Sequence, residues 1–160
     1  MASLPEIGFL RRVLYFKDVE EAVLLALWPS FRERRLKKGD VLFRAGDPGE
    51  ELYLIRDGSI VVSKPVTGRV EQVLSRLASG EVFGDERRRS ATCQAEIDTM
   101  LYSLDRDSLN RFVTGSPLAA AKFFQQMAQV AFQRLRDSSD LVAEVTRWGL
   151  EATGLDIEHK

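Results

Sequence analysis

The central part of the chain alternates short apolar runs with turn-forming residues. Four compact runs have the composition of strands, and they are Val41–Arg44, Leu52–Ile55, Ile60–Val62 and Val70–Leu77. Between two of them, Asp57-Gly58 predicts a tight hairpin. Further on, apolar and polar residues alternate, with Ala91, Cys93, Ala95 and Ile97 on the apolar side and Thr92 on the polar side. This succession of short strands predicts a sandwich or a barrel.

Helical patterns flank this region on both sides. Val19–Trp28 lacks strand alternation and carries glutamates early, as a helix start favours, and Asp105–Phe112 predicts another short helix. The basic run Phe31–Lys38 predicts a solvated connection or an edge strand, with contact to an anionic partner as a weaker alternative. We therefore divide the chain into an N-terminal helical region (1–38), a β-barrel (39–104) with the candidate chemistry at 80–95, C-terminal helices (105–151) and a tail (152–160).

The longest predicted helix covers Pro117–Arg136, with Ser116 as its cap. Its polar residues fall at steps of three and four, at Lys122, Gln126, Gln129, Gln133 and Arg136, and nearly every other position is apolar. Burial against one barrel needs only a stripe, so the wider apolar surface predicts a homodimer through this helix. Burial under the N-terminal helices is the alternative. The stretch Ser139–Glu151 either prolongs the helix or folds back as a lid.

Composition and charge narrow the class of protein. The chain has 160 residues, 44% of them hydrophobic and 29% charged, which is typical of one soluble globular domain. Its formal net charge of −1 gives no general attraction to nucleic acid or acidic membranes. The single cysteine, Cys93, excludes an internal disulfide and is expected in the core. Because no signal peptide or membrane-spanning run is present in the sequence, we expect a cytoplasmic protein without membrane contact.

The candidate chemistry lies in the segment GEVFGDERRRSATCQA, residues 80–95. Gly80 and Gly84 permit backbone conformations with positive φ. Asp85 and Glu86 follow as short acceptors that suit a sugar hydroxyl, and three consecutive arginines then offer planar donor forks that match phosphate. This order of residue types at the mouth of a strand indicates binding of sugar plus phosphate. A solvated, charged loop between two strands is the alternative.

Two short motifs occur in order within this segment, Phe83-Gly84-Asp85 and Arg89-Ser90-Ala91-Thr92. They resemble the two parts of the phosphate-binding cassette of the cyclic-nucleotide-binding domain family, found in catabolite activator proteins, kinase regulatory subunits and gated channels. Lys38-Gly39-Asp40 and the glycine spacing up to Gly58 also resemble that family, and the resemblance covers about residues 10–135. It implies a mainly β fold, a double-stranded β-helix or jelly-roll barrel with N-terminal helices and a long C-terminal helix.

The resemblance also implies roles for individual residues. Arg89 would pair with the cyclic phosphate of cAMP or cGMP, and the amides around Ser90 and Ala91 would complete the anion site. Asp85 or Glu86 would accept a hydrogen bond from the ribose 2′-hydroxyl. The complete set of candidate ligand-binding residues is Phe83, Gly84, Asp85, Glu86, Arg89, Ser90, Ala91 and Thr92.

The cassette departs from the family's pattern in its length. Family members usually place a short apolar helix between the glycine and the arginine, and its amides help to hold the phosphate. Here four residues separate Gly84 from Arg89, and two of them, Arg87 and Arg88, are expected to be solvated neighbours. Asp85 also stands where glutamate is usual. Either the cassette is trimmed, which would weaken or alter ligand binding, or a loop is missing from the sequence.

Two functions therefore stay open. The first is a cyclic-nucleotide sensor that relays its signal to an unknown protein partner through the C-terminal helices. The second is a ligand-independent adaptor or scaffold with a degenerate cassette. A metal-binding barrel or an enzyme is disfavoured because the one histidine, His159, lies in the polar tail. Direct sequence-specific DNA binding is not expected either, because the residues after Arg136 lack the pattern of a basic recognition helix.

Overall fold

The computed structural model describes residues 5–84 and 88–152. The chain forms two compact units, Met1–Phe124 and Gln125–Lys160. Among the described residues, the first unit contains all the strands, and the described part of the second unit is helical.

The strands of the first unit form two antiparallel sheets of four strands each. They are β1 (Arg32–Leu36), β2 (Val41–Phe43), β3 (Glu51–Asp57), β4 (Ser59–Thr67), β5 (Val70–Ala78), β6 (Val82–Phe83), β7 (Thr92–Ala95) and β8 (Thr99–Asp105). The first sheet has the order β1-β8-β3-β6 and the second has the order β2-β7-β4-β5. Together with the helices described below, the two sheets confirm the predicted jelly-roll fold.

One apolar core joins strands of both sheets, because every second side chain of a strand points to the same face. The buried residues of this core are Tyr53, Ile55, Ile60, Leu77, Phe83, Cys93, Ala95 and Leu101. Leu36, Leu42, Phe43 and Val62 pack against it. Burial of one large apolar side chain contributes about 1.5–3 kcal/mol. The position of Cys93 in the core is confirmed.

The hairpin predicted at Asp57-Gly58 is wrong. β3 pairs with β6 and β8, whereas β4 pairs with β5 and β7, so the chain crosses from one sheet to the other at Gly58. Gly58 has a φ of 114°, and a Cβ there would lie 2.3 Å from Thr99 Oγ1. Both a hairpin and this corner need a positive φ, which glycine supplies. The local sequence therefore could not distinguish them.

The N-terminal helices α1 (Ile7–Arg12) and α2 (Glu21–Leu27) are each followed by a 3₁₀-helical turn. This region packs around Tyr102 of the first sheet, whose ring centroid lies 5.2 Å from that of Trp28 and 6.4 Å from that of Phe9. The Glu6 carboxylate accepts hydrogen bonds from Arg56 Nε at 2.8 Å and from the Tyr102 hydroxyl. These contacts attach the N-terminal segment to the sheet.

Within the basic run Phe31–Lys38, the structure contains the strand β1 at the edge of the first sheet. It pairs with β8 from Arg32 opposite Ser103 to Leu36 opposite Thr99. The first four residues of β1 are exposed. Charged side chains on an edge strand disfavour pairing with further chains, so this composition suits its position.

The helix α3 (Arg106–Gly115) begins where the Asp105 carboxylate accepts the Ser108 N–H at 2.7 Å, which is an N-cap. The helix α4 (Pro117–Ala152) follows, and its first turns belong to the first unit. There Phe123 is buried, with its ring centroid 5.1 Å from that of Phe16. The N-terminal elements therefore help to bury Phe123, whereas Leu118 in the first turn of the helix is 71% exposed.

In the second unit, α4 continues through Ser139–Glu151, so this stretch prolongs the helix. Several large apolar side chains of the second unit are exposed, namely Phe132, Leu135, Val142, Val145 and Trp148. Across residues 5–84 and 88–152, no helix is long and apolar enough to cross a membrane.

Candidate anion-binding site

The candidate site begins at Gly84, directly after β6. Gly84 has a φ of 86°, a conformation that side chains disfavour. A Cβ at this position would lie 2.9 Å from both Tyr53 Cδ2 and Arg89 Nη1, and 3.2 Å from the Glu51 carbonyl oxygen. Glycine is thus required here for two reasons, its φ and the close approach of Tyr53 and Arg89.

Arg89 is buried, with 5% of its surface exposed. Its Nη1 donates a hydrogen bond to the Gly84 carbonyl oxygen, and its Nη2 donates to the Glu51 carbonyl oxygen at 2.9 Å. The guanidinium carbon lies 4.2 Å from the ring centroid of Phe43 and 5.6 Å from that of Tyr53. Such a cation over an aromatic face is attracted by the ring's electron density.

Among the residues that the structure describes, nothing neutralises the positive charge of Arg89. Within the described part of the chain, no carboxylate forms an ion pair with it, and its buried Nε has no hydrogen-bond partner. A buried charge is costly unless it is paired, and two carbonyl dipoles offset only part of this cost. The site is therefore a candidate for binding an anion.

The loop between β2 and β3 holds the backbone around Arg89. The Arg89 N–H donates to the Asp47 carbonyl oxygen at 2.9 Å, and the Gly46 N–H donates to the Arg89 carbonyl oxygen at 2.7 Å. Pro48 also forms an isolated bridge with Arg88. Sequence analysis found a turn in this loop but missed its role in the site, because backbone hydrogen bonds leave no signature in side-chain pattern.

The structure places the other predicted site residues in different surroundings. Phe83 is buried and stacks on Tyr53, with the ring centroids 5.3 Å apart. Ala91 is buried, whereas Ser90 is exposed. Arg88 is exposed, as expected of a solvated neighbour. Asp85, Glu86 and Arg87 lie outside the described residues.

Two expectations for the strand after the cassette are wrong. Thr92 is buried instead of lying on an exposed polar side of the strand, and its Oγ1 accepts the Ala45 N–H at 3.0 Å. Ile97 is 50% exposed because β7 ends at Ala95 and the alternation ends with it.

Sequence analysis also missed a polar cluster at the hydroxyl of Tyr53. Arg34 Nη1 donates to Glu51 Oε2 at 3.0 Å and to the Tyr53 hydroxyl at 3.3 Å. The pKa of Tyr53 is raised to about 12, mainly by burial and secondly by the hydrogen bond with Glu51. The phenol is therefore neutral at physiological pH. The available signal was the alternation within β1, which places Arg34 on the same face as Leu36, a partly buried residue that packs against the core.

The chain is thus a two-sheet β domain with flanking helices that carries a buried arginine between two of its strands. Residues 33–116 match the family described as "Cyclic nucleotide-binding domain". Because the match covers more than half of the 160 residues, the chain belongs to the cyclic nucleotide-binding domain family. The domains of this family are regulatory and non-catalytic.

Individual relatives agree with this assignment. The cyclic AMP receptor protein of Thermus thermophilus is 36% identical over 124 residues, covering 74% of this chain and 55% of that protein. The N-terminal domain of a Streptomyces coelicolor transcriptional regulator has a TM-score of 0.67 at 27% identity, over 84% of this chain and 94% of that one. A cyclic nucleotide-binding domain from Methylobacillus flagellatus has a TM-score of 0.77 at 24% identity, over 86% and 83%, which shows the shared fold. The chain spans about three fifths or less of the length of the curated relatives it matches.

Proposed function

We propose that this protein is a regulatory module that binds a cyclic nucleoside monophosphate, cAMP or cGMP, and relays binding to a protein partner through its C-terminal helices in the cytoplasm. The observation that carries the proposal is the burial of Arg89 without a carboxylate partner among the described residues. A cyclic phosphate carries a single negative charge and matches the donor fork of a guanidinium. Binding would shift the population of positions that the C-terminal helices adopt.

Six of the candidate residues have a role in contacting the ligand in this proposal. Arg89 binds the phosphate together with the amides of Ser90 and Ala91, while Asp85 or Glu86 accepts a hydrogen bond from the ribose 2′-hydroxyl. A hydroxyl that already accepts a hydrogen bond can still donate one. Thr92, which accepts the Ala45 N–H, thus retains a donor for the base.

Calorimetric titration with cAMP and with cGMP tests the proposal. The wild type and the Arg88→Glu variant should bind one of them saturably, whereas Arg89→Glu should not. Arg88→Glu is a matched control, because it makes the same change of charge at an exposed neighbour. Arg89→Lys keeps the charge but loses the planar fork, so it should fold and bind more weakly. Wild-type affinity in both Arg89 variants would contradict the proposal.

A ligand-independent scaffold is the second candidate function. It is favoured by the two carbonyl oxygens that already bind Arg89, and by the four residues between Gly84 and Arg89. Flat heats for the wild type at millimolar cAMP and cGMP would favour this function. The intact mass of the purified protein would show whether the cassette contains residues beyond the printed sequence.

We also propose that the protein forms a homodimer through Pro117–Arg136. The proposal is supported by Phe132 and Leu135, which are 63% and 65% exposed, because large exposed apolar patches are typical of interaction sites. Light scattering at micromolar concentration should give a dimer for the wild type and for Gln129→Glu, a change on the polar stripe. Leu135→Glu should give a monomer. A monomeric wild type would exclude this dimer.

A further inference from the structure

We infer that Arg34, on the edge strand β1, is a positioning residue for the anion site, because it fixes the two residues of β3 that hold Arg89. Its Nη1 donates to the Glu51 carboxylate at 3.0 Å and to the Tyr53 hydroxyl at 3.3 Å. The inference rests on the proposed binding of a cyclic nucleotide at Arg89. It concerns a residue outside the cassette.

Glu51 and Tyr53 each contact Arg34 with one group and Arg89 with another. The Glu51 side chain binds Arg34, and its backbone carbonyl oxygen accepts Arg89 Nη2 at 2.9 Å. The hydroxyl of Tyr53 binds Arg34, while its ring has the Arg89 guanidinium carbon 5.6 Å from the centroid. The Arg34 guanidinium carbon lies 5.9 Å from the same centroid. Arg34 therefore contacts both residues of β3 that contact Arg89.

Arg35 is a matched control on the same strand. Successive side chains of a strand point to opposite faces, so Arg35 faces away from Tyr53. Like Arg34, it forms an ion pair with a glutamate, through its Nε and Glu33 Oε1 at 2.6 Å, and its side chain is 75% exposed. Replacing either arginine by alanine removes one positive charge and one ion pair from β1. The contact with the anion site is lost in Arg34→Ala alone.

Glu51→Ala separates positioning from simple electrostatics. The substitution removes a negative charge near the site, so electrostatic attraction alone would tighten the binding of an anion. If Arg34 acts by holding Glu51, the same substitution should weaken binding. The two mechanisms thus predict effects of opposite sign.

Two measurements test the inference. Calorimetry with cAMP should show binding about three- to fivefold weaker for Arg34→Ala and for Glu51→Ala, since a partly exposed ion pair restrains its partners modestly. Nuclear magnetic resonance should show faster solvent exchange of the buried Arg89 Nε–H in both variants. Arg35→Ala should change neither quantity. Arg34→Lys, which keeps a cationic donor, should restore most of the affinity and of the protection.

The outcomes distinguish this inference from the proposed function. Equal effects of Arg34→Ala and Arg35→Ala on affinity and exchange, or tighter binding by Glu51→Ala, would overturn the positioning role. If the wild type binds neither cAMP nor cGMP, the proposed function fails and the exchange measurement decides alone. In that case, unchanged exchange of the Arg89 Nε–H in Arg34→Ala would overturn the inference, and faster exchange would support it.

Discussion

The two units of the chain differ in how fully they bury their large apolar side chains. In Met1–Phe124, Ile55, Ile60 and Leu101 have no exposed surface, whereas in Gln125–Lys160, Phe132 and Leu135 are more than 60% exposed. Burial of apolar surface can therefore stabilise the first unit directly. The described part of the second unit is a single helix, and isolated helices are marginally stable in water. The second unit is thus expected to gain most from a partner.

The largest expected difference is in the free energy of unfolding, between truncating an apolar side chain in the first unit and truncating one in the second. Ile60→Ala should lower the free energy of unfolding by about 2–5 kcal/mol, because it leaves a cavity in the core. Leu135→Ala, which removes comparable apolar volume from the exposed helix, should change it by less than about 0.5 kcal/mol in the monomer. Chemical denaturation of dilute protein measures both. A similar loss in the free energy of unfolding for both variants would contradict this difference between the units.

Alanine in place of glycine should act in opposite directions in the two units. Gly58→Ala imposes an unfavourable φ and a clash with Thr99, so we expect a loss of at least about 1–3 kcal/mol. At Gly149, within the helix, a Cβ meets no atom within 4 Å among the described residues. Gly149→Ala should raise helix stability by up to about 1 kcal/mol.

Thermal unfolding followed by circular dichroism checks this pair. The melting temperature of Gly58→Ala should fall, and the helical signal of Gly149→Ala should persist to higher temperature. A neutral Gly58→Ala would mean that the corner between the sheets tolerates a side chain.

A smaller change in the free energy of unfolding is expected when a single carboxylate is replaced. The hydrogen bond from Arg56 lowers the pKa of Glu6, so the ionised form is favoured in the folded state. Its contribution is present above the unfolded-state pKa and is lost as pH falls through the lower, folded-state value. Glu6→Gln should therefore cost about 1 kcal/mol at neutral pH, and the difference from wild type should shrink below about pH 4.5, the ordinary value.

Asp137→Asn is the corresponding change in the second unit. Asp137 accepts a hydrogen bond from Gln133 Nε2 at 2.8 Å on the exposed helix, one turn away. Such pairs stabilise a helix by about 0.2–0.5 kcal/mol. At neutral pH, unfolding curves should therefore separate Glu6→Gln from the wild type more clearly than Asp137→Asn, and the Glu6→Gln difference should shrink below about pH 4.5.

Local patterns in the sequence were sufficient to predict most of the strands and the longer helices, and the resemblance of two short motifs to a known family singled out Gly84 and Arg89. Strand periodicity and the residues of the cassette are properties of short segments, which is why Gly84 and Arg89 could be singled out. The crossing between sheets at Gly58 depends on which strands pair, and pairing is not local. The Asp57-Gly58 dipeptide was for this reason mistaken for a hairpin.

The surroundings of Arg89 could not be predicted for a related reason. Its hydrogen bonds go to the carbonyl oxygens of Gly84 and Glu51, groups that every residue possesses. The contact between Arg34 and Tyr53 joins strands that are neighbours of β8 but not of each other. Side-chain patterns along the chain do not record which strands lie next to one another, so neither set of partners could be predicted.

The burial of the single cysteine has a practical consequence. Cys93 is 4% exposed, and its strand β7 pairs with both β2 and β4. A thiol reagent can reach it only when the sandwich opens, so the rate of chemical labelling reports how often that happens. Cys93 is therefore a natural probe of how often the sandwich opens. Comparing its labelling rate with and without a cyclic nucleotide would measure the effect of a ligand on this opening without any engineered probe.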